Sequence, residues 1–407
     1  MPEEARSNIK DVGVQGNAPD LLWLMAIGAG VGVANVYYVQ PVIPLVQVSF
    51  GISPEAASLV PAASQAGYAA GMLLLAPLGD LVDRKRLILT KSALLILVLL
   101  ATASAPALSV LLVASAALGL LGSVGQDFIP LAAQHAPEER RGRTIGLVTT
   151  GLLCGILLSR TVGGIVGDFL GWRAMFGLAA AMVAIVALAV WWMLPRQSAP
   201  AAGTYLGLLR SLATLTLRHS LLRKALMTQA LLAATLGAFW STLALMLAEP
   251  PYQLGAGIAG AFGLAGAAGA LGAPMFGGFV DRKGPLAAIR LGCLLVAGAF
   301  ALMLVMPHSF VALIAGAVLF DLGVMAGLVS HQTIVTAIDP DARSRLNGLL
   351  MTAAMTGMSI GAVVGGWAWS HHGWAGVCVT GATASLLALL RSFFPPIIRP
   401  VFKETDS

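Results

Sequence analysis

Charge is scarce in this 407-residue chain: 10% of its residues are Asp, Glu, Lys or Arg, whereas 58% are hydrophobic. A soluble domain carries roughly 25% charged residues, so water is excluded as the main solvent and lipid must cover much of the surface. Cysteine is scarcer still, with three residues. Cys154, Cys293 and Cys378 all fall in apolar runs, which excludes a disulfide framework and reads them as free thiols packed as small hydrophobes. Metal-ligand spacing is missing too: His371 and His372 sit side by side in an expected outer loop without further ligands, so no metal is expected. No glycine-rich stretch runs into Gly-Lys-Ser/Thr, and no nucleophile has a base in reach. Enzymatic chemistry and ATP-driven pumping are excluded unless a partner supplies them, and no cofactor is expected. The formal charge of +6 does not point to nucleic acid, because the cations are scattered between apolar runs instead of gathered on one wetted patch.

What is present is length in apolar segments. Hydrocarbon about 30 Å thick needs roughly 20 apolar residues per helix, which leaves room for about twelve spans. Six run over residues 21–48, 54–78, 87–104, 108–135, 144–167 and 172–194, and six more over 222–248, 255–276, 286–306, 309–337, 346–370 and 374–394, each bounded by Gly, Pro or charge. All-α architecture follows, with a first bundle over 21–194, a linker over 195–221 and a second bundle over 222–394. Met1 to Asp20 lacks the basic, apolar and Ala-x-Ala parts of a cleaved leader and reads as a cytoplasmic tail, as does 395–407. Of the 24 Lys and Arg, all but Arg160 and Arg173 lie in or beside the tails and the even-numbered loops, which predicts that those loops face the cytoplasm of a bacterial inner membrane. In the linker, the spacing of Tyr205, Leu208, Leu209, Leu212, Leu215 and Arg218 predicts an amphipathic helix on the inner leaflet.

The chain repeats itself. Gly146, Gly155, Gly163, Gly164, Gly171 and Trp172 recur as Gly348, Gly357, Gly365, Gly366, Gly373 and Trp374, displaced by 202 positions (348 minus 146). The loop after the second segment, with Gly79, Val82, Asp83, Arg84 and Lys85, recurs after the eighth as Gly277, Val280, Asp281, Arg282 and Lys283. Six plus six in the same orientation is a parallel repeat, whose halves pack about an axis along the membrane normal with a substrate site between them.

On these residues the chain resembles the major facilitator superfamily over essentially its whole length. The family's loop signature, Gly-x-x-x-Asp-Arg-x-Gly-Arg-Arg/Lys, is matched by Gly79 to Arg86 and again by Gly277 to Gly284; the second copy keeps the signature glycine at Gly284, where the first has Arg86. The resemblance implies a twelve-helix fold and a conformational latch at Gly79, Asp83, Arg84, Gly277, Asp281, Arg282 and Gly284. In the fifth segment, Gly155, Ser159, Gly163 and Gly164 are similar to the family's antiporter run, Gly-x-x-x-Gly-Pro-x-x-Gly-Gly, with Ser159 for Gly and Arg160 for Pro. Asn35, Tyr37, Tyr38, Gln40 and Pro41 resemble a run found in a bacterial efflux-type subgroup.

Three ionisable side chains fall well inside spans: Asp127, Arg160 and Asp321. A charge there costs several kcal/mol on insertion scales and is expected to face a cavity or a partner. A carboxyl group so placed can load and release a proton. Asp321, mid-span with no cation near it in sequence, is the first candidate for proton coupling, and Asp127 the second, as a relay or as partner of a loop cation. Arg160, at a different depth from Asp127, is a cavity residue fit to hold an anion or neutralise an acid. His331 can titrate near neutral pH, although a lone histidine is more often a packing residue. Asn35, Tyr38, Gln65, Tyr68, Trp240 and Ser241 are expected cavity lining, with lipid-interface placement of the Trp and Tyr as the alternative. The expected activity is a monomeric secondary transporter that exports small hydrophobic or amphipathic molecules in exchange for protons. A proton symporter for a small organic anion, a membrane sensor and a lipid scramblase are the alternatives.

Overall fold

The computed structural model describes residues 18–195 and 204–394. The expected tails, with Arg6, Lys10, Arg399 and Lys403, and Arg196 of the linker lie outside the described residues.

Hydrocarbon offers no partner to a backbone N–H or C=O, so every crossing is helical. In chain order the spans are α1 (Ala18–Ala34, continued by a short helix Ile43–Phe50), α2 (Pro54–Leu74), α3 (Arg84–Ala103), α4 (Leu108–Gly122 and Val124–His135), α5 (Arg141–Leu170) and α6 (Trp172–Met193). The second half holds α7 (Ser220–Ala248), α8 (Ala256–Ala261 and Gly266–Lys283), α9 (Pro285–Val305) and α10 (Phe310–Thr336). A last helical run, Arg343–Phe393, is broken at Gly373 into α11 and α12. The architecture is two six-helix repeats, twelve spans in all. An amphipathic helix Tyr205–Arg218 stands between the halves, with Leu212 and Leu215 buried.

The repeat is visible in how the helices are cut. Gly171 (φ 82°) separates α5 from α6, and its counterpart Gly373 (φ 57°) separates α11 from α12; both need the left-handed region that glycine enters without strain. The helix runs through His371 and His372, so these residues end α11 instead of forming a loop; His371 stacks on Trp367, ring centroids 4.7 Å apart. Asymmetry appears at the signature loops. After α8 the helix continues through Asp281, Arg282 and Lys283 and turns at Gly284 (φ 83°). An arginine would be strained at that angle. In the first copy the helix breaks earlier, at a 3₁₀ turn over Ala76–Asp80, and Arg86 lies comfortably inside α3.

Within each half, small residues let backbones touch. A Cβ on Gly119 of α4 would collide with the Ser64 carbonyl of α2, and one on Gly361 of α11 with the Ala234 carbonyl of α7. Around these seams Phe239, Phe300, Phe320 and Trp374 interlock in the second half, centroids 5.0 to 6.4 Å apart. Large apolar side chains such as Val113, Ile185 and Trp192 point outward, where lipid is their solvent.

Because the obstructing atoms are backbone and cannot rotate away, Gly361→Leu is expected to lower stability by about 3 kcal/mol or prevent folding. Size-exclusion profiles after heating the detergent-solubilised protein measure this; an unchanged midpoint overturns it.

Candidate functional site

Between the halves lies a cavity of about 440 Å³, walled by α1, α2, α4 and α5 on one side and α7, α8, α10 and α11 on the other. Its lining runs from Arg160, Trp240 and Asp321 in the interior to Ile145, Gln332 and Asn347, at the ends of α5, α10 and α11 on the face that carries the Lys- and Arg-rich loops. It is therefore approached from the cation-rich face.

The opposite face is closed by contacts across the halves. Ser359 of α11 donates to the Ala62 carbonyl of α2 (2.8 Å), and Gly366 of α11 packs where a Cβ would meet the Ser58 side chain. Thr161 of α5 donates to the Gly260 carbonyl of α8 (3.2 Å), and Gly164 of α5 leaves room for the Ala256 backbone. Asp168, at the end of α5, accepts from the backbone N–H of Ala256 (2.8 Å) and of Gly257 (2.6 Å) at the start of α8. These two amides have no partner inside their own helix, and a carboxylate is the group that best satisfies them. The sequence pattern alone does not mark Asp168 as a functional residue. The signal was a lone acid four residues after Gly164, opposite Ser370 in the repeat.

Arg160 is held firmly. Its Nε donates to Gln40 Oε1 (2.7 Å), and its guanidinium lies 4.0 Å from the Trp240 ring centroid and 5.0 Å from that of Tyr37. Aromatic faces and one amide thus replace water around the cation. Asp321 shares this wall, and each group is within electrostatic reach of the other, but no ion pair joins them. Asp321 Oδ2 is buried with no hydrogen-bond partner.

Of the other predicted cavity residues, Tyr68 lines the wall and accepts from Gln126 Nε2 (2.9 Å). Five do not line it. Asn35 turns back on the Val31 and Gly32 carbonyls of its own helix; Gln65 is fully buried with both polar atoms unpartnered; Tyr38 lines a lipid-facing groove between α1 and α5; and His331 Nδ1 is 3.0 Å from Gln229 Oε1 of α7. Each finds packing or a partner elsewhere. Ser241 is likewise occupied by the Gly237 carbonyl (2.6 Å).

Asp127 is bonded outside the cavity. Lys91 Nζ sits 2.6 Å from its Oδ2, with both side chains 3% exposed. By its place in the sequence Lys91 falls beside an even-numbered loop, but it lies two turns inside α3 and belongs to the protein interior. The sequence signal was a cation and an anion inside neighbouring spans of one half. In the antiporter-like run, Gly155 packs against Gly30, Gly163 against the Tyr38 backbone, and Ser159 donates to its own Ile156 carbonyl (2.7 Å). In the signature loop, Asp83 accepts from Lys85 N (2.9 Å) at the start of its own helix, Arg84 pairs with Asp80 (2.8 Å) over Gly79, and Lys85 binds the Trp191 and Leu194 carbonyls ending α6. Asp281 and Arg282 are exposed beside Gly277 and Gly284. Among the described residues no group of three metal ligands is gathered.

Residues 24–338 match the sequence profile of the Major Facilitator Superfamily. The chain belongs to this family. A transporter named YgaY, described as uncharacterized, from Escherichia coli O157:H7 is 39% identical over 373 residues, covering 92% of this chain and 95% of the relative. A probable transporter of Streptomyces coelicolor, SCO4007, is 35% identical, covering 93% and 88%. Among solved structures the nucleoside transporter NupG superposes with a TM-score of 0.77 at 15% identity, covering 91% and 98%, which is a likeness of fold. The protein is a multi-pass membrane transporter of the superfamily and not an enzyme.

Two outcomes follow. Lys91→Met or Asp127→Asn alone strands a buried charge and should cost about 3–5 kcal/mol, whereas the double variant recovers most of it, as read by thermal unfolding; additive losses contradict a pairing role. Asp168→Ala removes two charge-assisted bonds from the closed face. In a Cys154→Ser, Ala259→Cys background it should speed labelling of position 259 by a polar maleimide about tenfold or more; an unchanged rate excludes Asp168 from closure.

Proposed function

We propose that this transporter exports small hydrophobic or amphipathic molecules across a bacterial inner membrane in exchange for protons, by alternating access. The distribution of Lys and Arg supports a cytoplasmic cation-rich face with both termini on that side. On that orientation the cavity is open to the cytoplasm and sealed outside, the state that loads an exported substrate. Rocking of the halves exchanges the seam around Asp168 for one on the cytoplasmic face, where the loops at Asp83 and Asp281 act as latches. Here Asp83 holds only its own helix, leaving it free to engage across the halves later.

The single observation carrying this reading is Asp321: a carboxylate on the wall of a largely apolar cavity, with a buried oxygen that nothing in the described protein satisfies. Such a group is a place for a proton or for a cationic part of the substrate. A carrier in which the two compete for one carboxylate is an exchanger. The antiporter-like run in α5 supports the same direction.

Arg160 favours a second reading, import of an organic anion with a proton. An anion on Arg160 would withdraw the positive charge from Asp321 and promote its protonation, so substrate and proton would travel together. The two readings predict opposite proton movements. Proteoliposomes enclosing pyranine, challenged with small amphipathic amines, amino acids and carboxylates, should show proton movement against that of the transported compound. Asp321→Asn should abolish this signal while leaving exchange of labelled compound down its own gradient. Proton movement in the direction of the compound selects the symport reading, and an undiminished signal in the variant removes Asp321 from coupling.

A further inference from the structure

Arg160 and Asp321 pose a problem that neither residue explains alone. Both line one apolar-walled space, each within electrostatic reach of the other, yet they stop short of an ion pair. Arg160 is anchored through Nε and sandwiched by Trp240 and Tyr37, which leaves its terminal nitrogens without a hydrogen-bond partner among the described residues. Asp321 Oδ2 is buried and unpartnered. Gly266 keeps the carboxylate clear: a Cβ there would stand 3.1 Å from Oδ2. The protein therefore holds two opposite charges apart in surroundings that make an unfilled gap costly.

Resting on the transport reading above, we propose that the gap is filled by the substrate itself, an amphipathic zwitterion whose ammonium group binds Asp321, whose carboxylate binds Arg160 and whose apolar body lies against the methionine-lined wall. A singly charged ligand satisfies one of the two residues and desolvates the other. A neutral polar ligand such as a sugar meets too few donors and acceptors. The remaining wall includes Met325, Met351, Met355, Met358, Leu236 and Val324, flexible thioethers and branched side chains that accommodate apolar groups of varied shape. Two charges on the wall select the head group, and the methionines tolerate the tail.

The pairing also supplies exchange. Ammonium and proton compete for the same carboxylate, so loading one expels the other, while Arg160 stays charged throughout. The titratable or charged side chains on the wall are Asp321 of α10, Arg160 of α5, Tyr37 of α1 and Tyr68 of α2. With the tyrosines neutral, competition rests on Asp321.

The test is a set of probes sharing an apolar body and differing in charge, measured by thermal shift on the full chain in detergent. Phenylalanine and 2-aminooctanoate carry both charges, phenethylamine and heptylamine the ammonium alone, 3-phenylpropionate and octanoate the carboxylate alone. At least one zwitterion should bind about tenfold or more tightly than both of its singly charged partners. Asp321→Asn should erase the advantage over the carboxylate, and Arg160→Gln the advantage over the amine. Arg160→Lys, which keeps the charge, should retain part of it. Absence of binding by both zwitterions, or amines binding as tightly as zwitterions, overturns the proposal. The second result would leave proton exchange at Asp321 standing, because the flux experiment on Asp321→Asn does not depend on a carboxylate in the substrate.

Discussion

Hydrocarbon cannot hydrogen-bond, and most of what this molecule does follows from that. Each polar group inside a span must be answered by the protein or by whatever enters it. Most are answered locally, within one half: Lys91 by Asp127, His331 by Gln229, and Lys224 by the carbonyls of Ser392 and Phe394 that end the last helix. Such pairs travel with their own bundle and fix its internal geometry. Among the described buried atoms left without a partner, Asp321 contributes the only carboxylate oxygen.

The contacts that close the face opposite the cavity mouth are of another kind. They are short, steric and largely backbone: glycine against carbonyl, a serine or threonine hydroxyl on a main-chain oxygen, and one carboxylate on two amides. Each is cheap to break in water and cheap to remake, which suits a seam that must open. A buried ion pair there would demand desolvation and resolvation in every cycle.

The fold was legible because its determinants are periodic. Spans, breaks and the repeat all leave marks at fixed spacing, down to the paired glycines Gly171 and Gly373 at matching kinks. Partnership between side chains leaves no such mark. That Lys91 reaches Asp127 depends on which faces of α3 and α4 meet, and their separation in sequence says nothing of that. Arg160, Asp321, Trp240 and Tyr68 could be picked out as polar or amphipathic groups in apolar runs; Asn35, Gln65 and His331 carried the same signal and are spent on packing. Asp168 looked like a loop residue at a helix end, and its role appears only once α8 of the other half is set beside it. The methionines were invisible for a different reason: on an apolar helix they resemble any other core residue.

The separation of Arg160 from Asp321 has an electrical consequence. With both charged the cavity carries no net charge, and it still carries none when the proposed zwitterion fills it. Adding a proton to Asp321 leaves Arg160 uncompensated and makes the moving centre +1. On the exchange proposed above, rocking with substrate would be indifferent to voltage, whereas a proton-bearing stroke, moving positive charge toward a negative interior, would gain up to about 2.3 kcal/mol per 100 mV traversed. In that proposed cycle the membrane potential would pull on the return, and the substrate would leave without feeling it.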